Sequence, residues 1–425
     1  MNKNILIILL IILLIIFYFV KNKYSQFENN IKLTDISGNK IKLNDNIIND
    51  NIINEKKNFD IIKLENRIIE KTKKIVKIRN NCGAVQSDTL RNVINENFKN
   101  FNHNLYIPCT YDNIKLEYNL LECDQAGMYF IIDNSDIMVA KDFLAMSLYS
   151  YYGDNANKYI PRTWITYNQI SMQNFKDQFN SSQLYIMKKN LQQQKDIQIF
   201  NNEFDILNTI NKYKHEKYPY VVIQELLQNP YLIDGRKINL RVYVLLVKYN
   251  NEYRIYVYDN GFMYYTASKY IPNSLDIKVN ITTGYIDREV YVKNPLTIKD
   301  LQQYLNDESR PLTPIETKIR RYNMLSEYLM TNIRDLIRDV FRIFDNKLGN
   351  GEKLKNNLKF QIYGADIAVY DNLQVKIMEI NKGPDLNSKD KRDCDVKYNL
   401  LKDAFKTVDI LDNDNKNGFT RLYYE

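Results

Sequence analysis

Four cysteines among 425 residues, Cys82, Cys109, Cys123 and Cys394, include no C-x-x-C pair, and only His103 and His215 could assist them. That supply argues against a zinc centre, and it suits scattered thiols in a reducing compartment better than a disulfide framework. No G-x-S-x-G, G-x-G-x-x-G or G-x-x-x-x-G-K-[ST] occurs in the chain. Their absence argues against a serine hydrolase, a Rossmann dehydrogenase and a P-loop enzyme. Asn, Ile, Lys and Tyr are heavily used instead, which looks like the codon bias of an AT-rich genome and carries no functional weight. With 44% hydrophobic residues the chain can bury a substantial core in two or three lobes. The formal net charge of +8 suits an acidic partner, whether a Glu-rich peptide tail, anionic lipid or nucleic acid, and alone separates none of them.

The run ILIILLIILLIIFYFV, from Ile5 to Val20, is unbroken apolar and flanked by Lys3, Lys21 and Lys23. At roughly half a kcal/mol favourable per central aliphatic residue it is expected to insert, which makes residues 1–21 a transmembrane anchor. A cleavable signal peptide is the rival, but no small-residue cleavage site follows. The larger positive charge on the C-terminal flank keeps that side in the cytosol, so a single-pass protein with a cytosolic C-terminal part is expected. Residues 22–80 are polar and poor in aromatics and read as a stalk. From about Asn81 the aromatic content rises and a globular part begins.

Within it the stretch from Phe360 to Leu386 is the most informative. Ile362, Gly364, Asp366 and Ala368 alternate with Ile367 and Val369, and Val375 to Asn381 alternates again beyond a turn at Asn372-Leu373. Such a hairpin sets Asp366 opposite Glu379, with Asn381 on the same face. Two carboxylates and an amide oxygen are hard ligands that suit Mg²⁺ completed by substrate phosphates; the plain alternative is an amphipathic hairpin with a wet face.

Other elements follow from pattern. Lys141-Asp142-Phe143-Leu144 opens a helix that ends before Gly153, and Pro161, Thr163 and Trp164 lie in an extended stretch. Leu184 to Lys188 and Tyr220 to Leu227 read as strands, the first ending in a lysine that can offer a mobile point charge. Ile233 to Arg241 places Lys237, Asn239 and Arg241 on one strand face, with Ile238, Leu240 and Val242 behind. Tyr253 to Tyr264 reads as a hairpin with Asn260-Gly261 at its turn. Thr313-Pro314-Ile315-Glu316 is a capping box that opens one long amphipathic helix to about Lys347; beside its core stripe Arg334, Arg338 and Arg342 form a row that could contact an acidic tail, though Asp335 and Asp339 nearby favour a solvated face.

Taken together, Gly364-Ala365-Asp366, Met378-Glu379-Ile380-Asn381 with Pro384, and Gly235-Arg236-Lys237-Ile238-Asn239-Leu240-Arg241 resemble the tubulin-tyrosine-ligase-like family, a branch of the ATP-grasp ligases. The resemblance covers roughly Met128 to Leu386. It implies an α/β (α+β) ATP-grasp fold with N-terminal (81–138), central (139–224) and C-terminal (225–425) lobes, here preceded by one transmembrane helix. It further implies ATP and two Mg²⁺, the metals on Asp366, Glu379 and Asn381. Lys141, Lys188 and Lys237 then reach the nucleotide, the segment Gln224, Glu225, Leu226 and Leu227 reads the adenine edge, and Arg241 and Lys237 act in catalysis. The implied reaction joins an amino acid (Tyr, Glu or Gly) to a protein carboxylate. The implied partners are a free amino acid and an acidic protein tail, tubulin first; the anchor adds a membrane, and no nucleic acid is expected.

Departures from the family pattern are equally specific. The phosphate flap Lys189 to Ile197 lacks its two glycines, which fall near Gln194 and Asp196. Asn239 stands where the family has Asp, Tyr264 where it has Arg, and its H-L-T-N is Asn280-Ile281-Thr282-Thr283. These keep two other readings open: a membrane-anchored pseudo-ligase that binds ATP or a partner without chemistry, and a ligase acting on another protein.

Overall fold

The computed structural model describes residues 76–78, 87–98, 105–111, 117 and 127–424, the last apart from 192–195, 285, 352–353, 355–356 and 413–415. The expected anchor at 1–21 lies outside the described residues, as does the stalk except for 76–78. Among the described residues no helix is long and apolar enough to cross a membrane. Cys109 is disulfide-bonded and Cys394 is free, so the expectation of free thiols holds for Cys394 and fails at Cys109.

The strands are β1 (Val76–Ile78), β2 (Leu105–Ile107), β3 (Met128–Tyr129), β4 (Thr163–Ile165), β5 (Tyr185–Lys189), β6 (Gln198–Phe200), β7 (Tyr220–Glu225), β8 (Leu232–Ile233), β9 (Arg236–Tyr249), β10 (Glu252–Thr266), β11 (Thr282–Thr283), β12 (Leu358–Val369), β13 (Val375–Asn381) and β14 (Phe419–Leu422). The helices of seven or more residues are α1 (Asp88–Asn97), α2 (Lys141–Tyr152), α3 (Gln169–Gln178), α4 (Glu203–Tyr213), α5 (Ile298–Asn306), α6 (Pro314–Arg320), α7 (Leu325–Arg342) and α8 (Lys391–Thr407). The large sheet runs β1-β2-β3-β12-β9-β10-β11, with β13 beside β12, β14 beside β10 and β8 beside β9. The small sheet runs β4-β7-β5-β6 and is antiparallel throughout.

β9 sits between β12 and β10, and its sequence shows why. Val242 to Val247 is an unbroken apolar run, each residue at most 2% exposed, as a strand covered on both faces requires. Only its first half alternates, and that half bears Lys237, Asn239 and Arg241. α7 covers the sheet with Leu329, Ile333, Leu336, Ile337 and Val340, a stripe at three- and four-residue spacing. Arg338 is held by Asp335 at 2.7 Å and Asp339 at 3.0 Å, and Arg334 by Glu327 at 2.9 Å, which makes the neighbouring arginine row self-neutralised surface.

Two expectations are corrected. The capping box at Thr313 and Glu316 forms, but it opens the seven-residue α6 and not a helix to Lys347. Glu316 is fully buried, accepts from Tyr231 Oη at 2.6 Å and pairs with Arg310 at 2.8 Å, so α6 is anchored by its own polar core. The chain then turns at 321–324 before α7 lays its separate stripe on the sheet. Nor does Asn260-Gly261 turn a hairpin. β10 runs straight through it, and the β9–β10 turn is at Asn250-Asn251, with Asn250 at φ +52°. Val257 faces Val244 and Gly261 faces Val242, so three residues oppose Tyr243 alone in a wide bulge. Asn260 Oδ1 closes it by accepting from Gly261 N at 2.9 Å and Lys299 N at 3.2 Å.

The connection between the sheets positions the site. β7 leads through 226–231 into β8 and β9, and this link is pinned to the β12–β13 hairpin. Tyr231 N donates to Val369 O at 2.8 Å and Asp371 N to Asn229 O at 3.0 Å, while Ile377 N donates to Tyr159 O at 2.8 Å just before β4.

Candidate active site

β12 and β13 pair with Asp366 opposite Glu379 and Gly364 opposite Asn381. The expected turn is there, with Leu373 at φ +61° and Tyr370 N bonded to Gln374 O at 2.9 Å. One bulge separates Asp366–Glu379 from Ile367–Ile377 and leaves Met378 as the extra residue. Arg241 lies across β12 from the other side, opposite Asp366 in register. Its guanidinium binds both carboxylate oxygens, Nε to Oδ1 at 2.6 Å and Nη2 to Oδ2 at 3.0 Å. Gly364 makes room for that side chain: a Cβ there would stand 2.9 Å from Arg241 Cδ. The ring of Tyr264 lies 5.3 Å from the same guanidinium, so the residue in place of the family's arginine stacks on the arginine that remains.

Two lysines face this hairpin, and a third is buried on β9 beside one of them. Lys141 Nζ stands 3.5 Å from Glu379 Oε2 and donates to Leu191 O at 3.1 Å. Lys188 Nζ donates to Gln224 Oε1 at 2.7 Å, Gln224 Nε2 to Thr163 Oγ1 at 2.9 Å, and Thr163 Oγ1 to Pro161 O at 2.7 Å. Sequence reasoning missed this relay; Thr163 and Gln224 lie opposite each other on β4 and β7, which only the pairing reveals. Lys237 is 3% exposed on β9. Beside it, Asn239 Oδ1 is buried without a hydrogen-bond partner among the described residues.

Burial dominates the electrostatics. It lowers Lys237 from its ordinary 10.5 to about 7, helped by the charge of Lys188. It lowers Lys188 to about 8, with Glu379 and Asp366 resisting and Lys141 adding to the drop. Asp366 is raised to about 6 by burial and by Glu379, against the pull of Arg241. Burial would raise Glu379 too, but Lys141, Lys188 and Arg241 outweigh it and hold its carboxyl below the usual range. The chain's own side chains thus give the site an excess of poorly solvated cations.

That excess makes a stability prediction. Below pH 7 Lys237 is charged in both states and its burial cost is borne in full. Between about 7 and 10.5 the unfolded chain binds the proton that the folded chain has released, so stability rises with pH across this window. Lys237→Met is therefore expected to raise the melting temperature at pH 7 and to bring a much smaller gain at pH 10. Equal gains at both values would refute the assignment.

Of the expected site residues, Lys141, Lys188, Gln224 and Glu379 line one narrow cleft together with Met378, while Lys237, Arg241, Asp366 and Asn381 do not line it. Glu225, Leu226 and Leu227 line a second, more open pocket with Gln183, Tyr370 and Lys376. In the linking segment Glu225 N donates to Arg162 O at 2.9 Å and Leu226 N to Leu184 O at 2.8 Å, so two of its amides already have partners. Asp196, at one missing glycine, takes φ +59° and pairs with Lys189 at 3.3 Å; Gln194, at the other, lies outside the described residues. Asn280 donates to Ser274 O at 2.6 Å and Asp276 O at 3.0 Å, so its amide braces its own loop.

Two sheets joined through a strand that feeds a cleft of lysines and carboxylates fit an ATP-grasp-like α+β arrangement. The chain matches the tubulin-tyrosine ligase family over residues 124–417, and it belongs to that family. It is similar to a probable tubulin polyglutamylase TTLL9 of Bos taurus, 29% identical over 193 residues, which is 44% of this chain and 38% of that protein. It is also similar to the tubulin polyglutamylase TTLL7 of Xenopus tropicalis, 25% identical over 66% of this chain and 31% of that protein. A probable beta-tubulin polyglutamylase of Tetrahymena thermophila is 25% identical over 59% of this chain and 21% of its own length. The matches therefore span less than half of these relatives' lengths.

Proposed function

We propose that the chain is an ATP-dependent ligase that joins an amino acid to a carboxylate of an acidic protein tail, with glutamate and tubulin as the leading pair. The observation that carries this reading is the gathering of Asp366, Glu379 and Asn381 on one hairpin beside Lys141, Lys188 and Arg241. The names of the relatives support the choice of glutamate and tubulin.

The donor set fits Mg²⁺. Among the described residues no group of three or more His, Cys, Asp or Glu converges, which suits an ion held by one or two carboxylates and completed by phosphates. Asn381 Nδ2 leans on Glu379 Oε1 at 3.4 Å, which leaves its Oδ1 to serve as the third oxygen. Bound there, the metal would neutralise charge on the phosphates. The chain's own part is positional. Lys188, fixed by Gln224 and Thr163, and Lys141, at the mouth beside Glu379, present ammonium groups to the phosphates. Poor solvation strengthens both, since nothing but the ligand neutralises them fully. Arg241, locked on Asp366, offers its remaining N–H groups to an acyl oxygen as phosphate leaves. The acceptor carboxylate attacks the γ-phosphate as ADP leaves with the bridging oxygen, and the amine then attacks the resulting acyl phosphate, losing a proton as phosphate departs. Positioning and charge account for such transfers without a nucleophilic side chain.

The pseudo-ligase is the second reading, favoured by Asp196 at a flap position where the family has glycine. One experiment separates the two: labelled glutamate is offered to the protein with ATP, Mg²⁺ and either intact or tail-deleted tubulin. Label confined to intact tubulin is the expected result. Equal labelling of both removes the tail as acceptor, and Mg²⁺-dependent ATP binding without label establishes the pseudo-ligase.

A further inference from the structure

α2 begins without a cap of its own. Ala140 stands at its N-cap position and has no side chain that could accept from the helix. The acceptor comes from 49 residues away, directly after β5: Asn190 Oδ1 accepts from Lys141 N at 3.0 Å. Asn190 Nδ2 donates in turn to Asp142 Oδ1 at 2.9 Å. Asp142 is 5% exposed, and its second oxygen accepts from Tyr167 Oη at 2.8 Å. One residue on, Leu191 O accepts from Lys141 Nζ, the ammonium that stands 3.5 Å from Glu379. Both ends of Lys141, its amide and its ammonium, are thus held by the two residues that follow β5.

We propose that Asn190 is a positioning residue for the nucleotide site: it caps α2 from outside the helix and so holds Lys141 Nζ beside Glu379. This rests on the reading of Lys141 as a phosphate ligand. An amide suits the place because it supplies one acceptor and one donor, and Asp142 needs the donor. An aspartate would keep the acceptor for Lys141 N but set two carboxylates against each other. Exchanging the two residues restores the bond between 142 and 190 and keeps the one from Tyr167, at the loss of the bond that Asp142 Oδ1 accepts from Phe143 N at 3.0 Å.

The test is Mg-ATP affinity of the full chain by calorimetry, with melting temperatures alongside. It compares wild type, Asn190→Asp, the exchange Asn190→Asp with Asp142→Asn, Lys141→Met, and Asn190→Asp with Lys141→Met. Asn190→Asp is expected to weaken binding about tenfold, because two facing carboxylates push residue 190 off Asp142 and with it off Lys141 N. The exchange should recover most of that affinity. In the Lys141→Met background Asn190→Asp should cost nothing more, because it acts through that ammonium. Unchanged affinity in Asn190→Asp, or an equal loss in both backgrounds, overturns the proposal. If Asn190→Asp does not fold, the exchange decides alone, and weak binding by a folded exchange variant overturns it. A wild-type chain that does not bind Mg-ATP overturns the nucleotide reading itself, and shows this before any variant is compared.

Discussion

Glu379→Gln is expected to lower labelled-glutamate incorporation by on the order of a hundredfold to a thousandfold, the scale of losing one preorganised charge at a transferring group. The substitution keeps the shape of the side chain but removes a carboxylate that three cations hold below its usual range, so the melting temperature should fall modestly. What changes is charge. Glu379 is one of the groups that keep Lys188 from falling further, and it faces Lys141 at 3.5 Å. Without it both ammonium groups lose their only counter-charge on β13, and the metal set loses one of two carboxylates. Binding of ATP without Mg²⁺ should hold or improve, because an anion has left the phosphate site, whereas the Mg²⁺-dependent part of binding should vanish. Undiminished incorporation by the variant would sink the ligase mechanism. An unchanged Mg²⁺ dependence would remove Glu379 from the metal set even if activity fell.

How much of this was legible depended on the range of the interactions. The Phe360 to Leu386 hairpin was readable because alternation, a short turn and the Gly383-Pro384 stop are local, and local alternation fixes which side chains share a face. The first half of β9 was readable for the same reason. Asn260-Gly261 was misread because a bulge and a hairpin turn ask for the same residue types; the choice was made by β9, which runs on past it, and by β14, which pairs with Ile255 to Tyr258. The break between α6 and α7 depends on Arg310 and Tyr231 meeting Glu316, the latter 85 residues away in sequence. No periodicity in the helical stretch encodes that meeting. The Asn190 cap was hidden likewise, although its trace is in the sequence: a helix that opens on Ala140-Lys141 lacks a capping side chain and must find one elsewhere.

Gly261→Ala tests the corrected architecture and should be the most damaging single methyl in the molecule. A Cβ on Gly261 would lie 2.1 Å from Arg241 O and 2.9 Å from Ile298 Cδ1. The first contact is with backbone in the middle of a sheet, so neither partner can swing away; β10 or β9 must shift. A cost of about 3 kcal/mol, roughly 5 to 10 °C in melting temperature, is expected. Since the displaced strand carries Arg241, incorporation should fall even at temperatures where the variant stays folded. Gly364→Ala is the matched control. Its Cβ would meet Arg241 Cδ at 2.9 Å and Nη1 at 3.2 Å, part of a side chain that can move aside. The guanidinium would leave Asp366 and strand a buried carboxylate, so some stability should be lost there too, and activity should fall even at temperatures where the variant stays folded. If Gly261→Ala melts like wild type, the wide bulge is not where the structure sets it. If Gly364→Ala keeps full activity, Arg241 does not need its seat on Asp366 to work.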